Sequence, residues 1–361
     1  MMDERVELRC NVVRRDDLTA AGVSNTEISR ATDCCLLRLS PGVYSIVSEC
    51  EKPRHERIRS LITDAAWTDY FRTTTRRQRA EDRKFAAHVA RLKAIHYPHY
   101  RPDDAVVGTS AAVLHELPMF DLPLEPLTIA HPSSTSTSSA VSRRRRAIPD
   151  DDRTVRSGVP VTTAARTGLD LIEVGGPIAG LAALDSAVRS QVLAAKGNAR
   201  LGMTDPDRLF EFGREVVESE FVPAAHRLTR GTKRALTVLG IVSPLSESYA
   251  ESCCSLNLHR LGLHDFAQQR NVFHDGDFLT RLDFLHRQTR TALAIDGTVK
   301  YVDFGRDVLK KESYQQNMLL SMGFTVIHFS FREVINPTAF SLKLFEQAPR
   351  LMEFRTEPTR L

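Results

Sequence analysis

RLDFLHRQTRTALAIDGTVKY, Arg281–Tyr301, reads as two β-strands joined by a polar turn. Leu282, Phe284 and Leu285 supply the first strand, and Arg287, Gln288 and Thr289 make the turn. Leu293, Ala294 and Ile295 form the heart of the second strand, which Gly297 ends. The hairpin carries Asp283 and Asp296 on neighbouring strands. A carboxylate inside an apolar strand is costly unless a metal, a hydrogen bond or a cation compensates it. Elements on either side fit an α/β unit with a mixed sheet. Pro244 precedes a helix from Ser246 to Leu263 that carries Glu251, and Gln269 stands ahead of the first strand. A helix starts at Glu312, and Gly323-Phe324 leads into a strand from Thr325 to Phe329.

In this order the last 120 residues resemble the nuclease-like domains related to very-short-patch-repair endonucleases, within the PD-(D/E)xK group. That family writes the hairpin R-x-D-F, a spacer, then E-x-D-G. Arg281, Asp283, Phe284, Asp296 and Gly297 match it, and Ala294 stands where the Glu belongs. Glu251 matches the acidic residue of the E-S-x-x-R helix, with Ser255 in place of the Arg. Lys300-Tyr301 match a V-K-Y variant, Gln315 replaces a further Arg, and His328 stands where Arg is common. The resemblance implies a restriction-endonuclease-like α/β domain over 241–361. Its catalytic set would be Glu251, Asp283, Asp296 and Lys300, with Glu251, Asp283 and Asp296 as Mg²⁺ ligands. Mg²⁺ takes hard oxygen ligands in an octahedral array, and it polarises the phosphate and generates hydroxide in phosphodiester hydrolysis. Ala294 offers no oxygen. Together with Ser255 and Gln315 it implies a degenerate, inactive or weak site, so that Mg²⁺ is the cofactor if the domain acts and there is otherwise none.

The N-terminal 50 residues predict a second unit. Asp16-Asp17 precede a short helix through Ala21, and Gly22-Val23-Ser24 makes a turn. Ser24 with Glu27 forms a capping box for a second helix, which buries Ile28 and Ala31 and turns Asn25, Thr26, Ser29 and Arg30 outward. Leu36 to Tyr44 then makes a hairpin around Ser40-Pro41-Gly42. Helix, tight turn, helix and hairpin is the order of a winged helix-turn-helix. D-L-T-A-A-G-V-S followed by L-x-R-L-x-P-G-V-Y resembles the DNA-binding domain of AbiEi-type antitoxins. S-A-A-V-L-H-E-L-P (Ser110–Pro118) and T-x-x-A-R-T-x-x-D-L (Thr162–Leu171) resemble the middle region of the same family. The resemblance implies a transcription regulator of a toxin–antitoxin system, with DNA and a cognate toxin protein as partners. In such folds the second helix enters the major groove and the wing touches the backbone. Asn25, Thr26, Ser29, Arg30 and Arg38 are accordingly the DNA-binding candidates.

Residues 51–240 read as a helical and mixed α/β middle region. From Glu51 to Arg101 there are thirteen Lys and Arg against six Asp and Glu. The run Arg72–Arg79 within it fits either a phosphate track or a solvated basic face. His115, at the end of an apolar helix, reads as a packing or capping residue, and Arg166 and Asp170 as a helical ion pair. PSSTSTSSAVSRRRR and the acidic PDDD after it suggest a flexible exposed loop over 132–152, with Arg143–Arg146 functionally minor.

The overall balance, +4 with a pI near 8.8, is too mild to imply nucleic acid on its own. The 42% hydrophobic and 26% charged content fits a folded soluble chain. No apolar run reads as a membrane span, and MMDERVELRC is too polar for a signal peptide, so the cytoplasm is expected. The six cysteines show no C-x-x-C spacing, which argues against a zinc site or a disulfide framework and for reduced, partly buried thiols. Two functions from different classes follow. One is a DNA-binding regulator whose nuclease-like domain is retained for binding. The other is a metal-dependent DNA endonuclease.

Overall fold

The computed structural model describes residues 10–195, 205–296 and 306–360, without the side chains of 306–312. The chain is mixed α/β and divides into two compact units, Met1–Glu116 with Pro123–Thr163 and Leu117–Leu122 with Ala164–Leu361. The sequence suggested boundaries near 50 and 240. The observed division follows packing, and the helices between 164 and 240 belong to the second unit.

The first unit opens with β1 (Val12–Arg14), α1 (Arg15–Ala20), α2 (Asn25–Ala31), β2 (Leu36–Ser40) and β3 (Val43–Ile46). The strands form an antiparallel sheet in the order β1-β3-β2. Ser24 caps α2 reciprocally with Glu27, as their spacing predicts: Ser24 Oγ accepts from the Glu27 amide, and the Glu27 carboxylate accepts from the Ser24 amide at 2.8 Å. Leu18, Val23, Ile28, Ala31, Leu36, Tyr44 and Ile46 form the core between helices and sheet, and Ile58 of α3 (Glu56–Arg59) joins them. Next come α4 (Ala65–Thr73), α5 (Arg76–Glu81) and α6 (Arg83–Ile95). The basic run is largely self-compensated. Arg72 pairs with Asp69, Arg77 with Glu81 at 3.0 Å, and Arg79 folds back onto the carbonyl of Phe71 at 3.1 Å.

A six-stranded mixed sheet completes this unit, in the order β6-β7-β5-β4-β9-β8. Its strands are β4 (Ala105–Val106), β5 (Leu127–His131), β6 (Ser136–Thr137), β7 (Val141–Arg145), β8 (Arg153–Arg156) and β9 (Val159–Thr162), with α7 (Gly108–Leu114) after β4. The expected loop over 132–152 is thus corrected, because its arginine run is β7, parallel to β5. Arg143 is buried at 3% exposure and donates to both oxygens of the fully buried Asp104, at 2.9 and 2.8 Å. The Ser-rich composition hid a strand in which Arg143, its one buried arginine, is neutralised by a partner 39 residues away. His115 has the expected structural role, its Nε2 lying 2.6 Å from the Thr162 carbonyl.

The second unit contains α8 (Ala164–Ala195), α9 (Pro206–Val216), α10 (Val222–His226), α11 (Thr232–Leu239) and α12 (Tyr249–Arg260). β10 (Phe266–His274), β11 (Asp277–His286) and β12 (Thr291–Asp296) follow, then α13 (Arg306–Ser321), β13 (Thr325–Ser330), α14 (Phe331–Val334) and α15 (Pro337–Gln347). The sheet order is β10-β11-β12-β13, antiparallel except for the parallel β12–β13 pair. The expected hairpin is β11–β12, and the mixed sheet is present. Three boundaries move. The helix expected from Ser246 begins after its cap at Ser248, Gln269 lies inside β10, and α13 starts at Arg306 instead of Glu312. Arg166 and Asp170 form the expected pair, buried, at 3.0 Å. α8 is long and apolar enough to cross a membrane, contrary to the sequence reading, but 61% of its apolar window is buried within the protein and the helix is interrupted at Gly176, where φ is +79°.

Candidate functional site

The N-terminal candidates all reach the surface. Asn25, Thr26, Ser29 and Arg30 are exposed on α2, because burial of Ile28 and Ala31 at helical spacing turns the intervening positions to solvent. Arg38 is exposed on β2, where it stands across from Tyr44. Arg14 and Arg15, at the start of α1, are exposed as well. The surface on offer is polar and cationic, with small hydrogen-bonding side chains on a helix that carries its own cap.

The carboxylates of the second unit are set by the meeting of α12, β10 and β11. Glu251 is 8% exposed and accepts three hydrogen bonds: from the Glu247 amide at 3.0 Å, from Ser248 Oγ at 2.9 Å and from Gln269 Nε2 at 2.9 Å. Gln269 has a φ of +53° in mid-strand, a left-handed conformation that costs on the order of 1–3 kcal/mol for a residue with a side chain. The β10–β11 ladder pairs Gln268 with Phe284 and Arg270 with Leu282, so Gln269 falls opposite Asp283 in the register. Asp283 Oδ2 accepts from the Ile295 amide at 2.8 Å. Burial pushes the Glu251 carboxyl up to about 7, and the Asp283 charge adds to that rise. Glu251 and Asp283 are therefore brought together.

Leu293 and Ile295 pack in the same core as Phe284, which pairs with Leu293, so strand alternation puts Ala294 and Asp296 on the opposite face of β12, the face that Asp283 takes beside Phe284 on β11. Asp296 Oδ1 lies 3.5 Å from His328 Nδ1, and Ala294 stands beside His328 in the parallel register. Lys300 lies outside the described residues. Arg281 is engaged with Glu247 at 2.8 Å, and Glu247 also takes Arg189 at 2.8 Å. Gln315 Nε2 donates to the Leu279 carbonyl at 2.7 Å.

These residues do not fit a Mg²⁺ centre. Glu251 already serves two N–H donors and a hydroxyl, Asp283 is tied to backbone, Ala294 supplies no oxygen, and Asp296 is turned to His328. What the geometry forms is a buried polar network. It extends to Asp185 of α8, fully buried, which accepts from the Ser243 amide and from Ser252 Oγ, both at 2.8 Å. Burial raises the Asp185 carboxyl to about 7. Sequence reasoning missed Asp185, and it named His328 only as a departure from the resembled family's Arg. The only signal for Asp185 was an acidic residue in the apolar stretch IAGLAALDSAV, where burial demands partners. No protein-family profile, characterised protein or solved structure matches the chain.

Proposed function

We propose that this protein is a DNA-binding regulator similar to AbiEi-type antitoxins, with a winged helix-turn-helix at its N-terminus and a restriction-endonuclease-like domain that no longer cleaves. The observation that carries this reading is the outer face of α2, where Asn25, Thr26, Ser29 and Arg30 are exposed together. A small unit gains little stability from such a face, whereas its side chains suit base edges and phosphates. Arg38 adds a cation for the backbone. The partners are duplex DNA and a cognate toxin protein, and the site of action is the cytoplasm.

The proximity of Glu251 and Asp283 is what favours the second reading, a metal-dependent endonuclease. The donor set weighs against it, since small misplacements of a catalytic group cost large factors in rate. The test uses the full chain with labelled duplex DNA. Binding is expected with an affinity that falls linearly in log K against log salt, and the DNA stays intact with Mg²⁺ or Mn²⁺. Absence of binding even at low salt overturns the regulator reading. Efficient cleavage that Asp283→Ala abolishes establishes the endonuclease.

A further inference from the structure

Three of the six cysteines are not dispersed. Cys34 and Cys35 follow α2 in the turn into β2, Cys50 follows β3, and His55 lies in the short 3-10 turn Pro53–His55. Their four ligand atoms all lie within 4.8 Å of one another. We propose that Cys34, Cys35, Cys50 and His55 bind one structural zinc ion.

The shape of the cluster fits this ion. A tetrahedral zinc with Zn–S near 2.3 Å and Zn–N near 2.0–2.1 Å requires sulfurs about 3.8 Å apart and sulfur–nitrogen distances of about 3.5 Å. The Cys34–Cys35 and Cys34–Cys50 sulfurs are 3.8 and 3.9 Å apart. His55 Nδ1 is 3.5 Å from Cys34 Sγ, 3.5 Å from Cys35 Sγ and 3.3 Å from Cys50 Sγ. Five of the six edges thus match a Cys₃His zinc tetrahedron, and one histidine nitrogen faces all three sulfurs. A disulfide needs sulfurs about 2.05 Å apart, and three thiols around one imidazole leave one unpaired whichever two join.

The chemistry of the donors agrees. Soft thiolates with an imidazole in a tetrahedral array select zinc over Mg²⁺ or Ca²⁺. Four protein ligands leave no open position, which is the mark of a structural site. Three thiolates on Zn²⁺ carry a net charge of −1, and Lys52, Arg54, Arg57 and Arg59 crowd the same segment. Arg59 donates to the Cys50 carbonyl at 3.4 Å. The ion would clip the segment after β3 to the turn below α2, holding a unit whose core is small. The usual paired C-x-x-C spacing is absent because the ligands come as an adjacent pair and a C-x₄-H pair, joined by the β2–β3 hairpin.

The full-length protein, grown with zinc and purified under reducing conditions, is assayed for metal by mass spectrometry and by zinc-edge X-ray absorption. The expected result is about one zinc per chain, with three sulfur neighbours near 2.3 Å and one nitrogen near 2.0 Å. Cys50→Ser combined with His55→Ala should lose the zinc, whereas Cys253→Ser should keep it. Zinc-free protein, a shell of oxygen and nitrogen alone, or a Cys34–Cys50 disulfide in the reduced preparation would each overturn the proposal. So would full zinc retention in the double variant. If that variant does not fold, the absorption spectrum of the wild-type protein decides.

Discussion

Asp185 and Glu251 show how single residues set the character of the second unit. Both titrate near 7 in the folded chain, because burial opposes their ionisation, and each is raised further by the other's charge or that of a neighbouring carboxylate. Unfolded, they titrate near 4. Between these values the folded state holds more protons than the unfolded one. Their contribution is therefore most favourable below pH 4 and is lost as the pH rises toward 7. Asp185→Asn keeps an acceptor for the Ser243 amide and removes the charge. Its stability relative to wild type should rise by about 2–4 kcal/mol between pH 4 and pH 7 in urea titrations. A difference that does not change with pH would count against burial as the cause. Arg143 is the opposite case, a charge buried with its partner. Arg143→Ala leaves the fully buried Asp104 carboxyl without its guanidinium partner, and should destabilise the first unit by about 3–5 kcal/mol in chemical denaturation. A loss below about 1 kcal/mol would mean that the pair contributes little.

At the scale of elements, the hairpin β11–β12 was legible because its apolar residues and turn are local and periodic. The helix–turn–helix order and the capping box of α2 were legible for the same reason. β7 was not, since SSAVSRRRR has the composition of a loop and becomes a strand only through Asp104 and the neighbouring β5. The Cys34, Cys35, Cys50 and His55 group was likewise hidden, because its ligands meet only after β2 and β3 pair. Gly262 links element to tail. Its φ is +73°, and a Cβ there would lie 2.2 Å from the Thr356 carbonyl oxygen, which forces backbone to move. Thr356 returns a hydrogen bond from its amide to the Gly262 carbonyl at 2.8 Å. Gly262→Ala should cost at least about 1–2 kcal/mol and release the C-terminal tail to proteolysis. An unchanged denaturation midpoint with a protected tail would contradict this.

Over the whole molecule, the sequence conveyed a mixed α/β chain. It suggested boundaries near 50 and 240, whereas the compact units meet at Thr163 and Ala164, with Leu117–Leu122 assigned to the second. Of the three carboxylates it grouped, Glu251 and Asp283 act on each other, and Asp296 lies 3.5 Å from His328. The left-handed backbone at Gln269, with φ +53°, is a property of the folded sheet, invisible to a motif. The proposed DNA binding by the exposed face of α2 and Arg38 is tested most directly by measuring duplex binding by fluorescence anisotropy over a range of salt for wild type and for Arg30→Ala with Arg38→Ala. If both arginines contact phosphates, the double variant binds more weakly and its log K against log salt slope falls by about 1.8, roughly 0.9 for each lost contact. Equal affinity and equal slope in the two proteins would contradict the account.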